Sequence, residues 1–294
     1  MTATAPGRTA RWVAGARPRT LPASIVPVVV GAAAAQPAPT LWLRLALCAV
    51  VALALQVGTN YANDAADGVR GTDERRVGPL RLVGSGLATP AAVRAAAVAA
   101  YLVAAVAGLW LAAIVTWWLL AVGAAALAAG WGYTGGPRPY GYRGLGEPFV
   151  FVFFGLVATA GTTYCMLGRV TALSVLAGAS MGLFACALLA ANNLRDLDGD
   201  AMSGKRTIAV RLGRRGAGRW YALLLIGGFT AAAGCASWRL GALVVLVSVP
   251  IAIAPTRSAL SDATGGSLLG VLARTARVQL VAGVLLALGM WVTS

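Results

Sequence analysis

A chain of 294 residues that is 59% hydrophobic and only 11% charged, with a mean hydropathy of +0.78, is too apolar for a soluble domain, in which roughly a quarter of residues are charged. Its 24 basic residues outnumber its 9 acidic ones for a net charge of +15, yet the basic residues fall in short segments between apolar runs. That is membrane topology, not a nucleic-acid-binding surface. There is no histidine, which excludes imidazole acid–base chemistry and imidazole metal ligation.

The first apolar run follows Arg8, Arg11, Arg17 and Arg19. Pro22 and Pro27 interrupt it and further runs follow, so an uncleaved first span is expected rather than a cleavable signal. Nine spans are expected in all, at 20–37, 41–63, 91–110, 112–131, 148–167, 171–193, 219–237, 240–255 and 274–293. Apolar runs of about 20 residues cross a bilayer as helices, and these are continuous rather than alternating, which favours helices over barrel strands. No linker divides them, so residues 1–294 read as one integral-membrane domain. With the N-terminus in the cytoplasm, 21 of the 24 basic residues lie on the cytoplasmic side and only Arg44, Arg169 and Arg239 outside. This asymmetry predicts a multi-pass protein of a bacterial cytoplasmic membrane with its polar loops on the cytoplasmic face. Cys48, Cys165, Cys186 and Cys235 lie singly in apolar runs without metal-ligand or paired spacing, and are read as packing residues.

The loop after the second span, NYANDAADGVRGTDERRVGPLRLVGSG (60–86), holds four of the nine acids, Asp64, Asp67, Asp73 and Glu74. The loop after the sixth span adds Asp196, Asp198 and Asp200. Asn60-x-x-x-Asp64 and Asn192-x-x-x-Asp196 form a weak internal repeat, offset by 132 residues. Two related four-helix units with one extra helix would produce it. Residues spaced by three and four share a helix face, so Asn60, Asp64 and Asp67 form one stripe, Asn63 falls four before Asp67, and Asn192, Asp196 and Asp200 form another. A carboxylate at bilayer depth costs about 2.5–3.5 kcal/mol, so such stripes are expected to face a polar cavity. Two acidic clusters sharing one cavity need cations between them. Oxygen ligands without histidine or cysteine suit Mg²⁺, which combines a few carboxylates with substrate phosphate oxygens. Arg70, Arg75, Arg76, Arg81, Arg195, Lys205 and Arg206 are then candidates for binding phosphate directly. The implied ligand carries a diphosphate head and a tail that tolerates the bilayer. By contrast, Arg211, Arg214, Arg215 and Arg219 are well explained as topology determinants.

A third segment, WGYTGGPRPYGYRGLGE (131–147), breaks at Gly-Gly-Pro and brings Tyr133, Arg138, Tyr140, Tyr142 and Arg143 to the same face. It reads either as an interfacial aromatic belt or as an aromatic wall able to stabilise a carbocation.

These segments, with ARPRTLPASIVPVVVG (16–31), YTGGPRPYGYRGLGEPFVFVFFG (133–155) and NNLRDLDGDAMSGKRTIAVRLG (192–213), resemble the UbiA superfamily of intramembrane prenyltransferases. The likeness is strongest to the branch that prenylates 1,4-dihydroxy-2-naphthoate in menaquinone synthesis. The resemblance implies an all-α polytopic bundle of nine transmembrane helices around a central cavity. It implies Mg²⁺, two ions by expectation, held on a polyprenyl diphosphate by Asp64, Asp67, Asp196 and Asp200. The second motif reads Asp-Leu-Asp-Gly-Asp, so Asp198 shares that metal role with Asp200 as an open alternative. Lys205, Arg206, Arg70, Arg81, Arg138 and Arg143 would grip substrate oxygens, with Asn63, Asn193, Tyr133 and Tyr140 at the substrate end. Asn60 and Asn192 would order the carboxylates, and Asp73 is the candidate general base. The implied reaction joins the prenyl group to the naphthoate ring with loss of the ring carboxylate as CO₂. Membrane lipid is an expected partner; nucleic acid and a required protein partner are not. Three alternatives remain at this level. One is a different aromatic acceptor such as 4-hydroxybenzoate, homogentisate or haem. Another is a cation-coupled transporter using the carboxylates as its ion site. The third, a CDP-alcohol type phosphotransferase, would need an Asp-Gly-x-x-Ala-Arg arrangement that the chain lacks.

Overall fold

The computed structural model describes residues 7–70, 80–261 and 263–294, and among these every regular element is helical. The short helix α1, Arg8–Ala16, ends at Arg17, a non-glycine residue in the left-handed region (φ 55°). That turn redirects the chain into a 3-10 turn and then α2, Pro22–Ala34. Proline at the start of α2 costs no hydrogen bond, because the first amide of a helix has no partner within it. The chain continues through α3, Trp42–Val69, α4, Pro90–Ile114, and α5, Trp118–Gly132. After the Gly-Gly-Pro break come α6, Gly146–Leu167, α7, Ala172–Arg195, and the short α8, Leu197–Met202. The last three helices are α9, Ile208–Ser237, α10, Leu240–Leu260, and α11, Gly265–Val292. Polar residues start several of them: the Thr89 hydroxyl accepts the Ala92 amide at the head of α4, Thr171 and Ser174 cap each other at α7, and Thr207 accepts the Val210 amide at α9.

Among the described residues, seven helices (α3, α4, α6, α7, α9, α10 and α11) are long and apolar enough to cross a membrane, and α2 and α5 are shorter apolar helices. The nine runs expected from sequence each correspond to a helix, but their ends differ. The span expected at 41–63 continues helically to Val69, so the first acidic motif is helical throughout. The span expected from 219 begins at Ile208 and bends at Gly213, whose φ of 66° only glycine adopts readily. Apolar content marks where a chain meets lipid; hydrogen bonding continues into water, so the helices outrun the runs.

Helix α7 is the most enclosed of the seven. It packs along α9, and α3 packs along α4; α11 covers α2, the start of α10 and α7. Around α7 the core is built from residues such as Met181, Phe184, Tyr221 and Leu286. In lipid, apolar side chains gain little from leaving solvent, so association depends on close fit and small residues. Gly155 of α6 shows this: a Cβ there would lie 2.5 Å from the Gly182 Cα and 2.6 Å from the Gly178 carbonyl oxygen of α7. At this contact α6 is wound as a π-helix, Phe151–Val157. A second small cluster, including Cys48 and Cys165, closes the Arg44 end of the molecule. All four cysteines are buried and free, as packing residues would be.

Candidate active site

The C-terminal ends of α3 and α7 come together, carrying the two halves of the sequence repeat to one polar chamber. Asp67 is 4% exposed. It accepts a hydrogen bond from the Tyr142 hydroxyl at 2.7 Å and lies 3.5 Å from an Arg81 nitrogen. The Lys205 ammonium stands 3.7 Å from Asp67 and 3.5 Å from Asp200. One cation therefore sits between a carboxylate of the first motif and one of the second. Lys205 is delivered by the turn after α8, where its amide donates to the Asp200 carbonyl (2.9 Å) and Gly204 takes a positive φ. Asp196 receives a two-pronged bond from Arg195, with both nitrogens at 2.6 Å, and the same guanidinium donates to Asn192 Oδ1 at 2.7 Å.

These groups open onto a cavity of about 380 Å³. At its polar end Asp67, Asp196 and Asp200 face Arg17, Arg81 and Lys205, so the described lining carries equal numbers of acids and bases. A diphosphate entering alone would bring uncompensated negative charge into a partly buried site. The carboxylate and amide oxygens present are hard donors that suit Mg²⁺ shared with phosphate oxygens, and Lys205 marks a position between two carboxylates where positive charge is held. The donor set thus fits Mg²⁺, although among the described residues no three acidic or cysteine side chains converge into a metal cage on their own.

The other end of the cavity is apolar, with Val51, Leu55, Leu119, Phe153 and Val157 in its wall. Between the two ends stands the aromatic group expected from the 131–147 segment. Tyr133 meets Tyr140 edge to face (centroids 5.5 Å apart), and Tyr140 stacks on Phe149 at 4.0 Å. Tyr142 carries the Lys205 ammonium 4.5 Å above its ring centroid, with the Arg70 guanidinium at 5.2 Å. Burial raises the pKa of all three phenols; Asp67's charge and hydrogen bond add to it for Tyr142, which is pushed up to about 12. Each is a neutral hydrogen-bond donor at physiological pH.

Asn60, Asn63, Asn192, Asn193, Tyr133, Tyr140, Arg81 and Lys205 all line this cavity, as do Asp67, Asp196 and Asp200. Asn60 donates to the Ala16 carbonyl at 2.9 Å, Asn63 accepts from the Thr134 hydroxyl at 2.6 Å, and Asn193 donates to Glu147 at 3.4 Å. The remaining candidates lie elsewhere. Asp64 is fully buried beside the cavity, not on it: its two oxygens accept the backbone amides of Leu82 (2.8 Å) and Val83 (3.0 Å). Asp198 points outward, its side chain 73% exposed and paired with Arg214 at 2.9 Å. Arg70 donates to the Thr134 and Gly136 carbonyls and so clamps the turn after α5. Arg138, Arg143 and Arg206 line a separate concavity on the far side of Tyr142. Asp73, Arg75 and Arg76 lie outside the described residues.

Sequence reasoning missed three groups at this site. Gln56 lines the cavity and donates to Asn60 at 3.3 Å; it sits four residues before Asn60, and extending the helical stripe by one turn would have found it. Arg17 lines the cavity too, though its position suggested only a topology signal. Glu147 is 4% exposed at the start of α6; an acid at that depth is itself the signal.

A sequence profile of the UbiA prenyltransferase family matches residues 24–267. The chain is 45% identical to 1,4-dihydroxy-2-naphthoate octaprenyltransferase of Mycobacterium tuberculosis, over 92% of this chain and 94% of the relative. It is 33% identical to the Escherichia coli protein of the same name, over 97% and 96%. Among solved structures, the apo UbiA homolog from Aeropyrum pernix K1 superposes with a TM-score of 0.71 at 18% identity, covering 94% of this chain and 98% of the other. A UbiA homolog from Archaeoglobus fulgidus bound to GPP and Mg²⁺ superposes with a TM-score of 0.65 at 13% identity, covering 94% and 99%.

Proposed function

The chain belongs to the UbiA prenyltransferase family, and we propose that it transfers a polyprenyl group from polyprenyl diphosphate to 1,4-dihydroxy-2-naphthoate. The ring carboxylate leaves as CO₂ and the product is demethylmenaquinol, the quinol form of demethylmenaquinone. The names and identities of the relatives support the acceptor. The observation that carries the chemistry is Lys205 bridging Asp67 and Asp200 at the polar end of a cavity whose other end is apolar.

The diphosphate head occupies the polar end, and the tail extends along the apolar wall. Arg81, Lys205 and Arg17 stabilise the negative charge that grows on the departing diphosphate as its C–O bond breaks. The allylic cation forms beside Tyr133, Tyr140 and Phe149, whose ring faces attract it, and the electron-rich naphthoate ring captures it there. Asp67, Asp196 and Asp200 would hold Mg²⁺ together with the diphosphate oxygens; when bound, it neutralises the leaving group. Asn60, Asn63, Asn192 and Asn193 order the carboxylates and the walls around them. Asp73 is the proposed proton acceptor. Asp64 is assigned a role through the chain it grips: by holding the Leu82 and Val83 amides it positions Arg81.

The two shorter apolar helices α2 and α5 complete nine membrane crossings of a single domain, with the polar end of the cavity toward the cytoplasm of a bacterial cell. The 21-to-3 division of basic residues supports that orientation. The test is direct. Purified protein supplied with 1,4-dihydroxy-2-naphthoate, a polyprenyl diphosphate and Mg²⁺ forms a prenylated quinol and pyrophosphate. Absence of product across tail lengths and aromatic acceptors overturns the proposal.

A further inference from the structure

On the far side of Tyr142 from the cavity, Arg138, Arg143, Arg206 and Arg211 line one open concavity with Pro139, Leu145 and Gly204. Its described lining contains no acidic residue, whereas in the cavity acids and bases are matched. All four arginines are exposed, and the backbone that carries them is tied together. Arg211 Nε donates to the Arg206 carbonyl at 3.1 Å and another of its nitrogens to the Arg143 carbonyl at 2.7 Å. The Arg206 amide donates to the Tyr142 carbonyl at 2.8 Å. Gly144, at φ 76°, lets the two strands of chain close up: a Cβ there would lie 2.9 Å from the Arg206 carbonyl oxygen. Backbone bonds thus hold like charges together around a hollow.

We infer that these four arginines form a second phosphate-binding site, distinct from the cavity and separated from it by Tyr142. Guanidinium groups fit phosphate oxygens in paired hydrogen bonds, and an anion between them relieves their mutual repulsion. The ligand class is a phosphate-bearing anion. Two sources supply that chemistry at this position: free pyrophosphate, the leaving group of the proposed reaction, and the head group of an anionic phospholipid, which basic pockets at a cytoplasmic face take up.

The test uses the full purified chain. In detergent, radiolabelled pyrophosphate is expected to show two classes of site, one displaced by polyprenyl diphosphate and one not. Arg138→Gln/Arg143→Gln weakens the second class about tenfold, the loss expected for one or two charged hydrogen bonds. In nanodiscs of phosphatidylcholine with and without phosphatidylglycerol, a lipid source predicts that native protein retains phosphatidylglycerol and the double variant does not. An effect in the first arm identifies free pyrophosphate as the ligand; an effect in the second identifies lipid. Arg138→Lys/Arg143→Lys, which keeps the charge, binds more tightly than the glutamine pair. The inference is overturned if the glutamine pair, with native melting temperature, matches native protein in both arms, or if the lysine pair loses as much as the glutamine pair. Neither arm depends on turnover, so failure here is distinguishable from failure of the proposed reaction.

Discussion

Asp64 and Asp67 are one helical turn apart, yet their surroundings assign them different work. Asp67 faces the cavity and meets Lys205, Arg81 and Tyr142. Asp64 spends both oxygens on backbone amides of the segment that carries Arg81. An asparagine at 64 accepts one of those amides and turns an N–H₂ group toward the other. Asp64→Asn is therefore expected to cost about 1–3 kcal/mol of stability, the penalty of a buried donor left unpaired, and to lower kcat through Arg81. The Mg²⁺ concentration giving half-maximal rate stays near native; a large rise in it would place Asp64 among the metal ligands instead. Tyr142 allows a pH prediction. Its phenol is raised from the ordinary value of 10 to about 12 by burial and by Asp67. A raised folded-state value means its contribution to stability is complete below pH 10 and is lost as pH climbs toward 12. Melting temperature measured across that interval should fall more steeply in native protein than in Tyr142→Phe. Little of this residue-level division was legible in the sequence. The partner amides of Asp64 lie 18 and 19 residues away, and helical periodicity groups Asp64 with Asp67 because it reports a shared face, not which neighbour reaches that face.

Among the elements, α6 and α7 meet where Gly155 leaves no room for a side chain beside Gly178 and Gly182. Gly155→Ala forces a Cβ into backbone atoms of α7. Overpacking of this kind costs about 1–3 kcal/mol. The expected result is a lower melting temperature in detergent, with Gly270→Ala, where the new Cβ meets nothing within 4 Å, close to native. Equal melting temperatures would mean that the two helices separate freely. Apolar runs located every membrane-length helix here, because lipid tolerates only helices whose backbone bonds are internally satisfied. They did not reveal the π-helical winding at Phe151–Val157, since an extra residue per turn leaves composition unchanged. Nor did they distinguish α2 from the longer spans: ten of its thirteen residues are buried, and a helix wrapped in protein reads in sequence like one wrapped in lipid.

At the scale of the whole molecule, the offset of 132 residues between the two acidic motifs was the one long-range signal available. Both motifs reach a common chamber, because each terminates a long helix and both α3 and α7 pack against α2. Of the cavity's matched acids and bases only Arg17 was not legible, since it reaches the cavity from a turn whose folding no periodicity describes. From this balance comes a prediction about metal. Chelation of divalent cations is expected to abolish turnover and to weaken polyprenyl diphosphate binding about tenfold or more, because the head group then enters without compensating charge. Unchanged binding after chelation would show that the protein's own cations suffice. The lysine held between two aspartates has a last consequence. An incoming head group must compete with carboxylates already in possession of that ammonium. Ligands that arrive with their own cations escape the contest, whereas a bare monophosphate has little to offer in exchange. On the proposed reading the clasp would act as a threshold for admission, and a bare monophosphate is expected to compete poorly with a metal-carrying polyprenyl diphosphate in a displacement assay.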